Sequence, residues 1–426
     1  MGLTQKLVDD LLNRGYSRRQ ISRIALGAAA AVPFFNEFAQ AQQSEDEANG
    51  VTRGAGRGGR GGSGGGRGGR GSFGGGGGRG PYDPEVIRIS SNENPMGPSK
   101  EGLEALMKVA PLGWRYSPQG DNLEFEAELI KSENVKQGYA IGYPGSSIPL
   151  ANAVPAFTAP TRPWVMGNPG YGAGGGRWVG NKVIQVPLRK DYTHDVEAMI
   201  KADPNAGAYY ICNPNNPTST LTPRKDFEYI LANKPKDAVL IIDEAYVHFA
   251  GPENYSTELV RQDKDVIVLR TFSKAYGMAG LRMGATFGRP DLIARIREYG
   301  GSGMLPVTAT ACAAASMKAN PGLMKDRMEL NKQNRDLALE HIQKMGASYI
   351  PNPMGNFFML SVKGMTGAQV GTAFSAKKIQ LAGAGRWPSM PQHIRVTVGT
   401  KEEMTKFNAV LDQVLQDGPP KVASAG

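Results

Sequence analysis

An α/β fold built on a mostly parallel sheet is the architecture that this 426-residue chain predicts, on three observations. Short continuous apolar runs, at residues 208–212, 239–242 and 266–269, have the length and composition of strands buried on both faces. Longer stretches of mixed polarity between them fit helices that cover such a sheet. Polar residues with reactive side chains fall just after the runs, where open parallel sheets carry their chemistry.

The length allows two ordinary domains, or one large α/β domain with a smaller companion. Cys212 and Cys312 are too few for a disulfide scaffold and have no CxxC spacing, so they read as buried thiols. His194, His248, His341 and His393 lack the spacing of zinc ligands, which argues against a metal enzyme. The formal net charge is +10, but residues 1–80 hold 11 Lys+Arg against 6 Asp+Glu and the remainder 38 against 33. The globular part is therefore only mildly basic, and its charge gives no reason to expect nucleic acid as a partner.

Taken in order, residues 1–41 follow the grammar of an export signal. A basic region containing Ser17-Arg18-Arg19-Gln20-Ile21-Ser22-Arg23 precedes an apolar run from Ile24 to Val32, and Ala39-Gln40-Ala41 precedes a polar stretch. The paired arginines resemble a twin-arginine translocation motif, with Ile21 and Ser22 where Phe and Leu are usual. This implies an exported, periplasmic protein. An amphipathic N-terminal helix is the alternative reading of the same residues. The apolar run is about half the length that spans a bilayer.

Residues 42–80 read as a linker, almost wholly Gly and Arg from residue 50 onward. So many glycines have no apolar burial to offset their ordering entropy. Gly61-Gly62-Ser63-Gly64-Gly65 matches the hydrolase elbow G-x-S-x-G, but without the flanking strand and helix the match is an accident of composition. The arginines suit contact with an anionic envelope surface, or the stretch is a spacer.

From Pro81 onward the composition is globular. Residues 239–246, Val-Leu-Ile-Ile-Asp-Glu-Ala-Tyr, are a buried-strand pattern that delivers Asp243 to a sheet edge. A nucleotide-hydrolase acidic strand would need a G-x-x-x-x-G-K-[ST] loop, and the chain has none. The other reading is an acid that keeps a pyridine nitrogen protonated, which makes the ring an electron sink. The next run ends in Thr271-Phe272-Ser273-Lys274, with Arg282 shortly after. An isolated lysine is usually a solvated charge, but one shielded from water and near other cations can act as a neutral amine. Arg282, Thr271 and Ser273 are groups that a phosphate ester would need nearby.

Together these residues resemble the signature of class I/II, fold-type I aminotransferases, and within them the histidinol-phosphate aminotransferase group, from about Ser90 to about Phe407. Residues 91–98, which include Asn94, resemble the arm that borders the substrate. Arg115-Tyr116 resembles a motif whose tyrosine reaches the cofactor phosphate of a partner subunit. Gly145-Ser146-Ser147 resembles a phosphate-cradling turn, and Tyr171 an aromatic that stacks on the pyridine ring. Asn213–Thr218 resembles the Asn-Pro-Thr-Gly loop, placing Asn216 with Tyr246 on the cofactor's phenolic oxygen, although Ser219 stands where the family has Gly. Arg395 resembles the arginine that makes a paired contact with a substrate carboxylate.

The resemblance implies a pyridoxal 5'-phosphate enzyme with an imine on Lys274. It implies a large domain (115–310) with a mostly parallel seven-stranded sheet, a smaller C-terminal α+β domain (311–426), and an arm (81–114) that contributes to the latter. It also implies a homodimer with shared active sites, acting on an amino acid and a 2-oxo acid. Lys274, Asp243 and Tyr246 would carry the catalysis. Decarboxylases and lyases share this fold and its lysine, and the motifs alone do not decide which bond breaks. A binding protein acting through the Arg/Gly-rich tail is a further reading, disfavoured by the complete set of cofactor residues.

Overall fold

The computed structural model describes residues 4–29, 83–116, 121–172, 181–301, 303–383 and 386–419. The Gly/Arg-rich linker and Ala39-Gln40-Ala41 lie outside these residues. In chain order the strands are β1 (Ile87–Arg88), β2 (Ala140–Tyr143), β3 (Trp164–Asn168), β4 (Val183–Pro187), β5 (Ala208–Cys212) and β6 (Val239–Asp243). They continue with β7 (Val266–Thr271), β8 (Gly284–Gly288), β9 (Ser348–Tyr349), β10 (Phe357–Ser361), β11 (Ile379–Gln380) and β12 (His393–Thr397).

The three apolar runs become β5, β6 and β7, adjacent and parallel at the centre of a seven-stranded sheet of order β2-β8-β7-β6-β5-β3-β4. Every residue of these three strands is buried, because helices cover both faces and leave no polar side to alternate with. Only β8 runs antiparallel to its neighbours. One face packs Leu240, Ile242 and Val268 into a core with Phe125 and Ala313. The other packs Ile241, Leu269 and Tyr210 with Ala153 and Phe157. The pairing of Cys212 with Asp243 puts the acid on this second face, the one that carries the chemistry.

The smaller domain is a three-stranded antiparallel sheet, β12-β10-β9, beside the parallel pair β1-β11. Helices Gly367–Ala376 and Lys401–Asp417 each begin in a reciprocal capping box, Thr366 with Gln369 and Thr400 with Glu403. Through β1, which pairs with β11, the arm joins this domain. The expected boundary at residue 310 falls inside helix Val307–Lys318, whose Ala309, Cys312 and Met317 belong to the large core. The junction lies instead within helix Gly322–Lys344, which gives Met324 to the large core and Ala338, Leu339 and Ile342 to the small one. Apolar content alone does not tell which of two cores a helix serves.

Residues 4–29, read as part of an export signal, form two helices, Gln5–Asn13 and Arg18–Ala29. Leu7, Leu11, Tyr16, Ile21 and Ile24 are buried in the same cluster as Leu150, Phe157 and Trp164 of the large domain.

Candidate active site

Asp243 ends β6 and is 2% exposed. Its Oδ2 accepts from the Tyr210 hydroxyl at 3.0 Å and its Oδ1 from the Ala245 backbone N–H at 3.1 Å. Burial pushes its carboxyl up to about 6, against the lowering effect of these two bonds. The adjacent Glu244 faces the other way. It accepts from Arg270 Nε at 2.8 Å and from Ser256 N at 2.6 Å, and Arg270 also pairs with Glu133. The tandem acids thus divide, one into a structural ion-pair network and one toward the site.

Lys274 sits in the turn after β7, half-buried, with Nζ donating to Ser91 O at 3.0 Å and lying 5.8 Å from the centre of the Tyr246 ring. The arm is therefore fastened to the lysine. Beside it, the Thr271 hydroxyl bonds Ser273 Oγ at 2.9 Å, and Arg282 Nη1 donates to Ser273 Oγ at 3.3 Å. Arg282 holds the left-handed backbone conformation at φ +60°, a strained position for a non-glycine residue that occurs at functional sites.

Across from this group, helix Ser147–Phe157 opens at Gly145-Ser146. The N-terminus of this helix lies beside the Arg282 guanidinium, the arrangement of an anion cradle. A Cβ on Gly284 would stand 2.8 Å from Ser146 N, and one on Gly145 would stand 2.6 Å from Arg282 Nη2. Glycine at both positions is what lets the β8 backbone, the turn and the guanidinium approach so closely.

The third group joins the two domains. Arg395, on β12, is 5% exposed and donates through Nη1 to Asn216 Oδ1 at 2.6 Å and through Nη2 to Ser90 O at 2.9 Å. Its guanidinium lies 5.4 Å from the Trp387 ring and 5.5 Å from the Phe357 ring. Burial lowers its pKa to about 10, so it remains a cation at neutral pH. The Tyr246 hydroxyl accepts from Asn216 Nδ2 at 3.4 Å and from Asn92 Nδ2 at 3.1 Å, and burial holds this phenol well above its ordinary range.

Of the residues expected from sequence, Lys274, Asp243, Tyr246, Asn216, Ser146, Ser147, Thr271, Ser273, Arg282 and Arg395 occupy these three groups. Tyr171 stands at the mouth, 42% exposed, with Asp243, Cys212 and Ser147 as electrostatic neighbours of its phenol. Tyr116 is 83% exposed on a loop and is not among them. Asn94 differs from expectation. Its Nδ2 donates to Ala275 O at 3.0 Å, which ties the arm to the lysine turn, and its Oδ1 accepts from Met96 N at 3.0 Å within the arm. Asn92 takes the inward place, because a left-handed turn at φ +52° swings it onto Tyr246.

Ser219 keeps the left-handed conformation, at φ +64°, that glycine would adopt freely. Its hydroxyl accepts from Gly355 N at 2.8 Å, a bond that offsets part of the backbone cost. Tyr210 escaped the sequence reading, since a tyrosine inside an apolar run is usually core.

The arrangement provides a cradle for a phosphate, a buried acid, an amine and a pair of donors converging near a phenol. These match the phosphate, ring nitrogen, aldehyde carbon and phenolic oxygen of pyridoxal 5'-phosphate, and the close packing of Gly284 against Ser146 N shows that the cradle is built in. Residues 84–411 match the family model for aminotransferase class I and II. The chain is 31% identical over 337 residues to histidinol-phosphate aminotransferase 2 of Ralstonia nicotianae, covering 78% of this chain and 89% of that one. It is 32% identical over 345 residues to histidinol-phosphate aminotransferase 1 of Cupriavidus pinatubonensis, with the same two coverages. The crystal structure of histidinol-phosphate aminotransferase from Sinorhizobium meliloti in complex with pyridoxal-5'-phosphate superposes with a TM-score of 0.69 at 25% identity, covering 78% of this chain and 91% of that one. The chain belongs to the class I and II aminotransferase family and is a pyridoxal-phosphate-dependent enzyme.

Proposed function

We propose that the enzyme moves an amino group between an amino acid and a 2-oxo acid, with Lys274 carrying the proton and Arg395 seating the substrate carboxylate. The observation that carries this reading is the state of Arg395. It is a buried cation whose terminal nitrogens rest on neutral oxygens, with no acid paired to it among the described residues. A buried charge without a counter-ion is costly, and a substrate carboxylate supplies one.

When bound, pyridoxal 5'-phosphate supplies a carbonyl that takes up the amine and a ring that withdraws electrons. The chain's residues do the rest. Ser146, Ser147, Ser273, Thr271 and Arg282 hold the phosphate. Asp243, fixed by Tyr210 and Ala245, keeps a proton on the ring nitrogen. Tyr246 and Asn216 bond the phenolic oxygen, and Tyr171 covers the ring. Lys274, positioned by Ser91 O, would take the proton from the substrate α-carbon and deliver it to the carbon that was the cofactor's aldehyde carbon, which is general acid-base work by an amine.

Replacing Lys274 with Ala should remove the visible absorbance of the loaded enzyme and lower turnover by at least about a thousandfold. Normal turnover in that variant would end the assignment. Carbon dioxide released from amino acids, in place of transfer to an added 2-oxo acid, would point to decarboxylation on the same residues.

The enzyme acts as a homodimer in this reading, in which Tyr116, too exposed to serve its own chain, reaches the partner's phosphate cradle. It also acts outside the cytoplasm. The support is the Arg18-Arg19 pair ahead of an apolar run. Fractionation that finds only cytoplasmic enzyme would remove the localisation and leave the chemistry untouched.

A further inference from the structure

The N-terminal helices are packed as a resident part of the enzyme. Thr4 caps the first of them, its hydroxyl accepting from Leu7 N at 3.4 Å. Leu7 and Leu11 stand four residues apart on its buried side, and Ile21 and Ile24 stand three apart on the second helix, so each pair shares one face. All four join the cluster that includes Leu150, Ala153, Phe157, Leu292 and Ile296 of the large domain.

Polar contacts fix the position further. Arg14 reaches the C-terminal end of helix Ser147–Phe157, where Nη2 donates to Pro155 O at 2.8 Å and also to Thr158 O. Its Nη1 donates to Tyr299 Oη at 2.9 Å and to Asp10 Oδ2 at 3.2 Å. The last carbonyls of a helix have no partner within it, and a cation there also favours the helix dipole. Arg295 attends the same end through Ala156 O at 2.7 Å. The Tyr16 hydroxyl donates to Thr158 O at 2.8 Å and accepts from Asn181 Nδ2 at 2.9 Å. The helix whose N-terminus forms the phosphate cradle is therefore closed at its other end by residues from the first 16 of the chain.

We propose that residues 4–24 are retained in the mature enzyme as a strap docked on the face made by helices Ser147–Phe157 and Pro290–Glu298. Removing them at Ala41 would strip Tyr16 from Asn181 and Arg14 from the helix end, and would expose to water the apolar face that Leu7, Leu11, Ile21 and Ile24 cover. Arg18 and Arg19 stay exposed while the strap is docked, so the paired arginines remain readable on the folded chain and retention is compatible with export. The inference rests on packing and is independent of the reaction assigned to Lys274.

The test has two arms. Intact mass and peptide mapping of active enzyme from its native cells should show residues 4–24 present. In the full chain, Arg14→Ala should lower Tm by about 2–4 °C with turnover unchanged, and Arg14→Lys should recover part of the loss. Leu11→Asp should release the strap to trypsin at Arg14, which the wild type protects. Active enzyme that begins after Ala41 overturns the proposal, and so do Arg14→Ala and Leu11→Asp chains that melt and digest like wild type.

Discussion

Asp243→Asn should stabilise the cofactor-free protein while abolishing turnover. The unfolded chain ionises this carboxyl at about 3.9, whereas in the fold burial pushes it up to about 6. Between these values the native state holds more protons than the unfolded state, so stability falls as pH rises from about 4 to about 6 and then levels off. By pH 7 the buried carboxylate costs on the order of 3 kcal/mol. Asn is neutral throughout and keeps both contacts, with its oxygen accepting from Ala245 N and its amide donating to Tyr210 Oη. Bound cofactor reverses the order, because a protonated ring nitrogen favours the carboxylate. Denaturant unfolding of cofactor-free wild type and variant at pH 4 to 8 measures this. The curves should coincide near pH 4 and separate above it, with the variant more stable. Parallel curves across the range would refute the claim that Asp243 is held as a buried carboxylate awaiting a cationic ring.

The same site yields three further expectations. Tyr210→Phe removes a hydrogen bond to a charged group, which is worth about 1.5–3 kcal/mol, so the acid limb of kcat should rise by about one pH unit with KM for the amino donor unchanged. An unshifted pH profile would make Tyr210 mere packing. Arg395→Lys keeps the charge but loses the planar fork, and should lower kcat/KM for carboxylate substrates about 100-fold while the absorbance of bound cofactor persists. Mixing Lys274→Ala chains with Tyr116→Ala chains should restore activity that neither has alone, since a mixed dimer contains one intact site. No recovery after subunit exchange would place Tyr116 outside the shared site.

Legibility followed how local each signal was. Asp243 and Lys274 stand directly after apolar runs, and a parallel sheet delivers both to one edge whatever surrounds them. Arg395 could be placed only through its resemblance, because what makes it distinctive is that no acid among the described residues pairs with it in a pocket drawn from β12, the arm and the loop after β5. In the arm a backbone detail decides which side chain turns inward: the left-handed turn at Asn92 sends that side chain onto Tyr246 and leaves Asn94 to brace the lysine turn. The N-terminus is the sharpest case. Leu7, Leu11, Ile21 and Ile24 make an apolar stripe that suits an export signal and also an amphipathic N-terminal helix, because composition does not say what covers an apolar face. The contacts that cover this face lie more than a hundred residues away. Arg14 meets Pro155, Thr158 and Tyr299. An arginine that meets the last carbonyls of a helix acts as its cap, while Arg18 and Arg19 beside it stay exposed for an export machinery to read.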